Sequence, residues 1–494
     1  MNLGELVQGC TFDDVLLVPQ FSRIESRDPA VIDLRSRLTT RLMLDRPIVS
    51  ANMDTVTRAP MAIVMAEEGG IGIIDRGFRP GDIEPQVKEV QVVKRTQHGV
   101  VRDPYTIVAD ATVAEAAAAM LRSKVGTLVV VDGARKLVGL LTERDLRFLT
   151  DSTARVSTRM TPRDRLVLYE GELPLAAAER IMVERKVKKL PLVAPDGTLI
   201  GLVTSRDLVR QRRLPFATRD DLGRLRVGAA IGARGDYLER AAELLRAGAD
   251  VLVIDIAHGH SGVMDRALGA VRQRFPDADV IAGNVATADG ARFLSERGAS
   301  AVKVGIGPGG GCTTRITTSF GVPQLQAIAA CRDAVGDAVP IIADGGIRRH
   351  GSICEALLFG GDTVMLGSAF AGTQESPGEI VQKSVLLPES QRPVKVPFKV
   401  LRGMASIEAI KDRLDVEDAD VIDLQALGAE GMEVSVPLRG SARSVFQEMM
   451  RHLCSSISYG GADSLVDLRA RFASDPTRYV IRLSPAASRE SYER

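Results

Sequence analysis

Val302-Lys303-Val304-Gly305-Ile306-Gly307-Pro308-Gly309-Gly310-Gly311-Cys312-Thr313-Thr314-Arg315 is the stretch on which the reading of this chain turns. A short apolar run, interrupted by one lysine, gives way to glycine at positions 305, 307, 309, 310 and 311, and then to a cysteine, two threonines and an arginine. Glycine at that density lets the backbone take φ > 0, or lets another group approach closely, because no Cβ is in the way. Strand, glycine loop and cysteine in that order predict a nucleophile carried at the C-terminal end of a barrel strand. A glycine loop alone would mean no more than a turn. The ordered string G-x-G-P-G-x-x-C-T-T-R adds the chemistry.

Outward from this stretch, β-branched runs alternate with helical segments. Strands are expected at Ile48–Ser50, 70–74, Val251–Asp255, 280–284, 301–305, 340–344 and Thr363–Leu366, with a helix over 59–68 between the first two. The later runs end in a polar residue or glycine, as the catalytic strand ends of a (β/α)8 TIM barrel do. The fold class is therefore α/β. Those ends bring together Asp255, Asn284, Cys312, the Asp344-Gly345-Gly346 triplet and Gly367-Ser368. Glycine pairs that open helices expose backbone N–H groups to an anion such as a phosphate. A carboxylate such as Asp344 suits two ribose hydroxyls. The set points to a mononucleotide, although singly each residue could be a helix cap or a packing glycine.

One part of the chain repeats itself. Val138-Gly139-Leu140-Leu141-Thr142-Glu143-Arg144-Asp145-Leu146 recurs as Ile200-Gly201-Leu202-Val203-Thr204-Ser205-Arg206-Asp207-Leu208, an offset of 62 residues (142 against 204). An apolar strand and an Asp-Gly turn precede each copy, and Met160-Thr161-Pro162 marks the division between them. The repeat is expected as an insertion in one βα loop, which loop-closure entropy tolerates because it grows slowly with length. Thr and Asp before a helix are also ordinary cap residues.

Composition excludes several classes of function. The 494 residues carry 64 basic and 63 acidic side chains, a net charge of +1, which gives no electrostatic footprint for nucleic acid or a membrane surface. No apolar run approaches the ~18 residues of a membrane span, and Met1-Asn2-Leu3-Gly4-Glu5 does not read as a secretion signal. Five scattered cysteines (10, 312, 331, 354 and 454) lack metal-ligand spacing and suggest a reducing cytoplasm.

The cysteine loop closely resembles the active-site loop of the IMP dehydrogenase / GMP reductase family. Thr11 to Pro19, Ser50-Ala51-Asn52-Met53-Asp54-Thr55-Val56-Thr57, Gly283-Asn284-Val285, Ala343-Asp344-Gly345-Gly346-Ile347 and Arg402-Gly403-Met404 are similar to family signatures, in family order. The resemblance implies that the Cys312 thiolate attacks purine carbon 2 to form a thioimidate. It implies substrate contacts at Ser50, Asp344, Gly345, Gly346, Gly367, Ser368, Gly403 and Met404, and cofactor contacts at Asp255 and Asn284. Arg315 fits a positioning or charge role. A monovalent cation, potassium, is implied at the carbonyls of Gly305, Gly307 and Cys312. The repeat resembles a tandem CBS pair (a Bateman module), implying an adenine or guanine nucleotide held by Thr142, Asp145, Thr204 and Asp207. Family analogy suggests a homotetramer or octamer. The expected layout is barrel over 1–92, tandem CBS module over 93–215, and barrel over 216–494, with a catalytic loop at 305–320 and a flap at 402–440.

The family contains two reactions. Dehydrogenases oxidise IMP with NAD and hydrolyse the adduct to XMP, activating water with an Arg-Tyr pair on the flap. Reductases expel ammonia from GMP and take hydride from NADPH, and the resemblance assigns that proton transfer to Thr314 and Glu430. Bacterial dehydrogenases carry those two residues as well. Between Arg402 and Glu430 this chain has no tyrosine, and its one internal arginine, Arg413, is followed by Leu414. Leucine cannot share a proton. Ile256-Ala257 is similar to the apolar pair of reductases, and Gly310 replaces a serine usual in both branches. Reductases usually lack the insertion. The expectation is GMP reductase acting on GMP or a close analogue with NADPH. IMP dehydrogenase using NAD is the alternative, and a nucleotide-sensing scaffold the second.

Overall fold

The computed structural model describes residues 2–96, 100–101, 104–123, 125–147, 151–171, 173–386, 393–413 and 429–492. Eight strands close on one another: β1 (Ile48–Ser50), β2 (Ile71–Ile74), β3 (Gly228–Ile231), β4 (Val251–Asp255), β5 (Val280–Val285), β6 (Ala301–Val304), β7 (Ile341–Asp344) and β8 (Thr363–Leu366). Every neighbouring pair is parallel, including β8 with β1. Parallel strands covered on both faces read as continuous apolar runs, and almost every residue of these strands is buried.

Alternation along each strand sorts the side chains into two cores. Val49, Ile71, Ile73, Ala230, Val251, Val253, Ile281, Ile342 and Met365 fill the barrel interior together with Leu38 and Leu44. Those two leucines belong to a hairpin (Ser36–Arg37 with Met43–Leu44) that seals the end where the strands begin. There Thr39 Oγ1 bonds Asp279 Oδ2, one residue before β5, at 2.7 Å. The outward residues, such as Leu252, Ile254 and Val302, join helix residues Leu244, Val271, Leu294 and Ile328 in the larger core. Each buried aliphatic side chain contributes on the order of 1.5–3 kcal/mol. The chain termini are stapled together by antiparallel pairing of Val15–Leu17 with Val480–Arg482.

The chain divides into two compact units. The barrel unit comprises Met1–Lys94, Phe216–Thr218 and Leu225–Arg494; the second comprises Arg95–Pro215 and Arg219–Arg224. The second unit follows the helix Glu84–Arg95 and precedes β3. It therefore occupies an αβ connection, not the βα loop expected from sequence. The βα unit begun by β2 is already complete when the chain departs.

Within the second unit the repeat builds two four-stranded sheets. One orders Thr161–Pro162, Leu137–Thr142, Thr127–Val131 and Thr106–Val108; the other orders Tyr169–Glu170, Lys189–Val193, Leu199–Thr204 and Val100–Val101. The central hairpins share one register, with Thr127 opposite Thr142 and Lys189 opposite Thr204. Each half lends a short strand to the other's sheet, because Val100–Val101 pairs into the second and Thr161–Pro162 into the first.

After β8, three antiparallel strands (Ile380–Leu386, Pro393–Arg402, Glu433–Pro437) form an arm. The arm returns Arg402-Gly403-Met404 and Glu430-Gly431 to the strand ends.

Candidate active site

Three segments far apart in sequence meet at Cys312. The Cys312 sulfur lies 3.2 Å from Thr314 Oγ1, and Thr314 Oγ1 donates to Glu430 Oε2 at 2.8 Å. A hydroxyl has one proton, so with it given to the carboxylate the thiol is the donor to the hydroxyl oxygen. The result is a relay from S–H through O–H to a carboxylate. The backbone fixes it: Thr313 N–H donates to the Glu430 carbonyl at 2.9 Å, Met432 N–H to Gly311 O at 2.9 Å and Gly403 N–H to Met432 O at 3.2 Å.

Glycine makes that approach possible. A Cβ on Gly403 would sit 2.5 Å from Gly311 O, and one on Gly431 would sit 2.7 Å from Ser406 N. A side chain at 403 would force that segment away from the cysteine loop, and one at 431 would push the two returning segments of the arm apart. A Cβ on Gly310 would meet nothing within 4 Å, and Gly310 and Cys312 line the same cleft.

The strand ends beneath the loop form a charged layer centred on a residue with no assigned role in the sequence reading. Lys303, on β6, is 2% exposed. Its Nζ donates to Asp344 Oδ2 at 2.6 Å and to Asn284 Oδ1 at 2.5 Å, and lies 3.0 Å from Asp255 Oδ1. Burial alone would lower the pKa of this ammonium, but Asp255 and Asp344 on either side hold it raised. Burial likewise pushes the Asp255 carboxyl up, and Lys303 and Arg76 more than offset it, so its pKa is lowered. Asn284 Nδ2 donates to Asp344 Oδ2 at 2.9 Å and to Gly305 O at 2.6 Å, tying β5 and β7 to the start of the cysteine loop. Gln324 braces the same place, donating to Val304 O at 2.9 Å and Asp344 O at 3.1 Å.

Most residues expected at the site line one cleft: Asp255, Asn284, Gly305, Gly307, Cys312, Thr314, Asp344, Gly345, Gly346, Gly367, Ser368, Gly403, Met404 and Glu430. Ser50 does not. It is fully buried, and its Oγ accepts from Thr57 Oγ1 at 2.9 Å. Ala51, Asn52 and Met53 face the cleft in its place, because the chain leaves the barrel wall immediately after β1. Gly345 and Gly346 take φ of 87° and 80°, yet they open no helix. The next one, Gly351–Leu358, starts five residues later (351 against 346). The two glycines instead let this loop pack on Pro308 and Gly309. Gly367 does cap a short helix, Ser368–Ala371, and Ser368 is exposed there.

Arg315 and Arg413 are both engaged with backbone. Arg315 donates to Ile306 O at 3.3 Å and Val322 O at 2.5 Å, which makes it a strut of the cysteine loop. Arg413 donates to Met404 O at 2.7 Å. Burial, with Arg76 and Arg402 near, lowers its pKa. Leu414 and the flap over 414–428 lie outside the described residues. Arg76 lines the cleft 3.6 Å from Asp255 and was not anticipated from sequence.

In the second unit, Thr142 and Asp145 form the plain cap: Asp145 Oδ2 accepts from Thr142 N–H and from Thr142 Oγ1, each at 2.7 Å. Thr204 ends the strand Leu199–Thr204, and Asp207 falls in the helix Ser205–Arg212. The Asp207 side chain lies outside the described residues.

Comparisons with known proteins converge on one family. Residues 9–493 match the model described as IMP dehydrogenase / GMP reductase domain. The inosine-5'-monophosphate dehydrogenase of Aquifex aeolicus is 43% identical over 493 residues, covering 99% of this chain and 96% of the relative. That of Nitrosopumilus maritimus is 42% identical over 469 residues, covering 94% and 95%. Among solved structures, a cysteine-to-alanine variant of Trypanosoma brucei GMP reductase, in complex with guanosine 5'-monophosphate, superposes with a TM-score of 0.84 at 37% identity. The match covers 98% of this chain and 97% of that one. The same trypanosomal enzyme in complex with guanosine 5'-triphosphate gives a TM-score of 0.75 at 34% identity, covering 97% and 98%. Among the described residues, no helix is long and apolar enough to cross a membrane.

Proposed function

Because the chain belongs to the IMP dehydrogenase / GMP reductase family of NAD(P)-dependent oxidoreductases, we propose that it is a GMP reductase, acting on GMP or a close guanine-nucleotide analogue. The observation that carries this reading is that no tyrosine stands between Arg402 and Glu430 to activate water, while the path from the Cys312 thiol through Thr314 to Glu430, which dehydrogenases also carry, supplies the proton transfer a reductase needs. Attack of sulfur on carbon 2 of GMP forms the C–S bond and expels the 2-amino group. Ammonia leaves with one more proton than the amino group had. The thiol releases one proton, so the relay balances the step: Glu430 takes it through Thr314 and returns it to the departing nitrogen. The nicotinamide cofactor, when bound, supplies hydride to carbon 2, and departure of the thiolate then gives IMP. Hydrolysis of the adduct would instead need a base for water, and the flap interval lacks the tyrosine of the dehydrogenase pair.

Asp344, held by Lys303 and Asn284, is the proposed ribose acceptor, and the Gly367-Ser368 turn the proposed phosphate site. Gly345, Gly346, Gly403 and Met404 would line the nucleotide, with Asp255 and Asn284 toward the cofactor. The carbonyls of Gly305, Gly307 and Cys312 suit a potassium ion; Gly305 O already accepts from Asn284, and a carbonyl keeps a second lone pair. Such an ion would hold the loop's shape. In the second unit, Thr142, Asp145, Thr204 and Asp207 are proposed to bind an adenine or guanine nucleotide that tunes the rate. Association into tetramers or octamers is proposed by family analogy.

A second reading, IMP dehydrogenase, is favoured by the names of the curated relatives and by Arg413, whose lowered pKa suits a base. Whole-chain identity weighs mostly barrel, which both reactions share. The trypanosomal reductase matches along the same length, so the insertion does not separate the branches. Purified chain given GMP with NADPH, and separately IMP with NAD, tests both. NADPH consumption with GMP is expected. XMP formation with NAD would overturn the reductase reading, and no turnover with either pair would favour a nucleotide-sensing scaffold.

A further inference from the structure

Two of the chain's five histidines come together away from the cleft. His350 caps the helix Gly351–Leu358, and His452 lies on the long helix Ala442–Tyr459, one turn after Glu448. The two imidazole rings are 4.7 Å apart, tilted by 34°, and His452 Nε2 is 3.8 Å from Glu448 Oε1. One ligand atom from each of the three side chains can be chosen so that all lie within 4.8 Å of one another.

We propose that His350, Glu448 and His452 form a surface site for a divalent transition-metal ion of the nickel, zinc or copper class. Two imidazoles and a carboxylate are the donor set that such ions prefer. With bonds of about 2.0–2.1 Å, ligand atoms around a tetrahedral ion sit about 3.3 Å apart. The present spacing closes to that by side-chain rotation, since His452 and Glu448 are more than half exposed. The backbones need not move: Ile353 and Leu357 of one helix and Val445, Met449 and Leu453 of the other are packed in the same core. Arg439 is the cation that opposes the ion there. A bound ion would clip the helix that follows the Asp344–Gly346 loop to the long helix.

Nickel titration by calorimetry on the full-length Cys312→Ala chain tests the site. This background removes the half-buried thiol, and the other four cysteines are buried. One nickel per chain is expected. Affinity should fall at least about tenfold when His452→Ala or Glu448→Gln is added, and should be unchanged by His260→Ala. Nickel should raise the thermal midpoint of the Cys312→Ala chain but not of its His452→Ala derivative. No saturable binding, or binding and midpoint shifts indifferent to His452→Ala, would overturn the proposal.

Discussion

The charged layer around Lys303 and the relay above it at Cys312 are built in opposite ways. Lys303, Asp255 and Asp344 stand on neighbouring or near-neighbouring barrel strands, and their positions follow from strand register alone. Cys312, Thr314 and Glu430 stand on loops, with Thr314 and Glu430 separated by 116 residues. Their meeting depends on backbone-to-backbone contact at glycines. One region is a packed floor of paired charges on barrel strands. The other is a chemical ceiling assembled from loop segments that touch through their backbones. Rigid scaffold and mobile reactive loop is the usual division of labour at barrel strand ends.

That contrast can be broken from the ceiling downward. Cys312→Ala removes the nucleophile, and turnover should fall on the order of 10⁴-fold or more with folding intact; measurable steady-state activity would end the covalent account. Glu430→Gln keeps the shape of the relay but removes its proton acceptor. A loss of roughly 10²–10⁴ in kcat is expected for GMP reduction, read by stopped-flow release of ammonia. Lys303→Met leaves Asp344 without its cation and Asp255 with Arg76 alone. A stability loss of about 3–5 kcal/mol is expected in urea unfolding, and a smaller loss would mean the floor is less rigid than its packing implies. Gly403→Ala pushes a methyl against Gly311 O and should cost up to about 10²-fold in kcat with little change in melting temperature. Asp145→Ala, in the second unit, should lower stability by about 1 kcal/mol through the lost cap. It should leave basal turnover unchanged while weakening any nucleotide effect on rate.

The same contrast explains what could be read from the sequence. Strands such as Val251–Asp255 and Thr363–Leu366 are legible because β-branched runs bounded by polar residues have few alternatives. Strand Gly228–Ile231 was not named as one, since Gly-Ala-Ala-Ile carries little β propensity. A Cβ on Gly228 would come within 2.4 Å of Ile73 Cδ1 and 2.9 Å of Val251 Cγ1, so a larger residue there would displace both side chains. Lys303 was hidden by its own context, a single lysine inside an apolar strand, whose function depends on two carboxylates on other strands. Ser50 misled in the opposite direction: its neighbours Ala51 to Met53 face the cleft, and strand alternation turns Ser50 away from the barrel interior that Val49 fills and toward Thr57. The closure of Gly311, Gly403 and Gly431 on one another has no local signal at all. The αβ placement of the insertion was missed because the helix Glu84–Arg95 runs into the expected domain boundary at 92.

The central claim is that sulfur at position 312 forms an adduct at purine carbon 2 which is resolved by hydride and not by water. Quenching the enzyme with GMP alone, followed by peptide mass spectrometry, measures it directly. The account predicts an adduct of GMP less ammonia on the peptide containing Cys312, which disappears with formation of IMP when NADPH is added. Adduct on another peptide, or clean conversion of the Cys312 adduct to XMP, would contradict it.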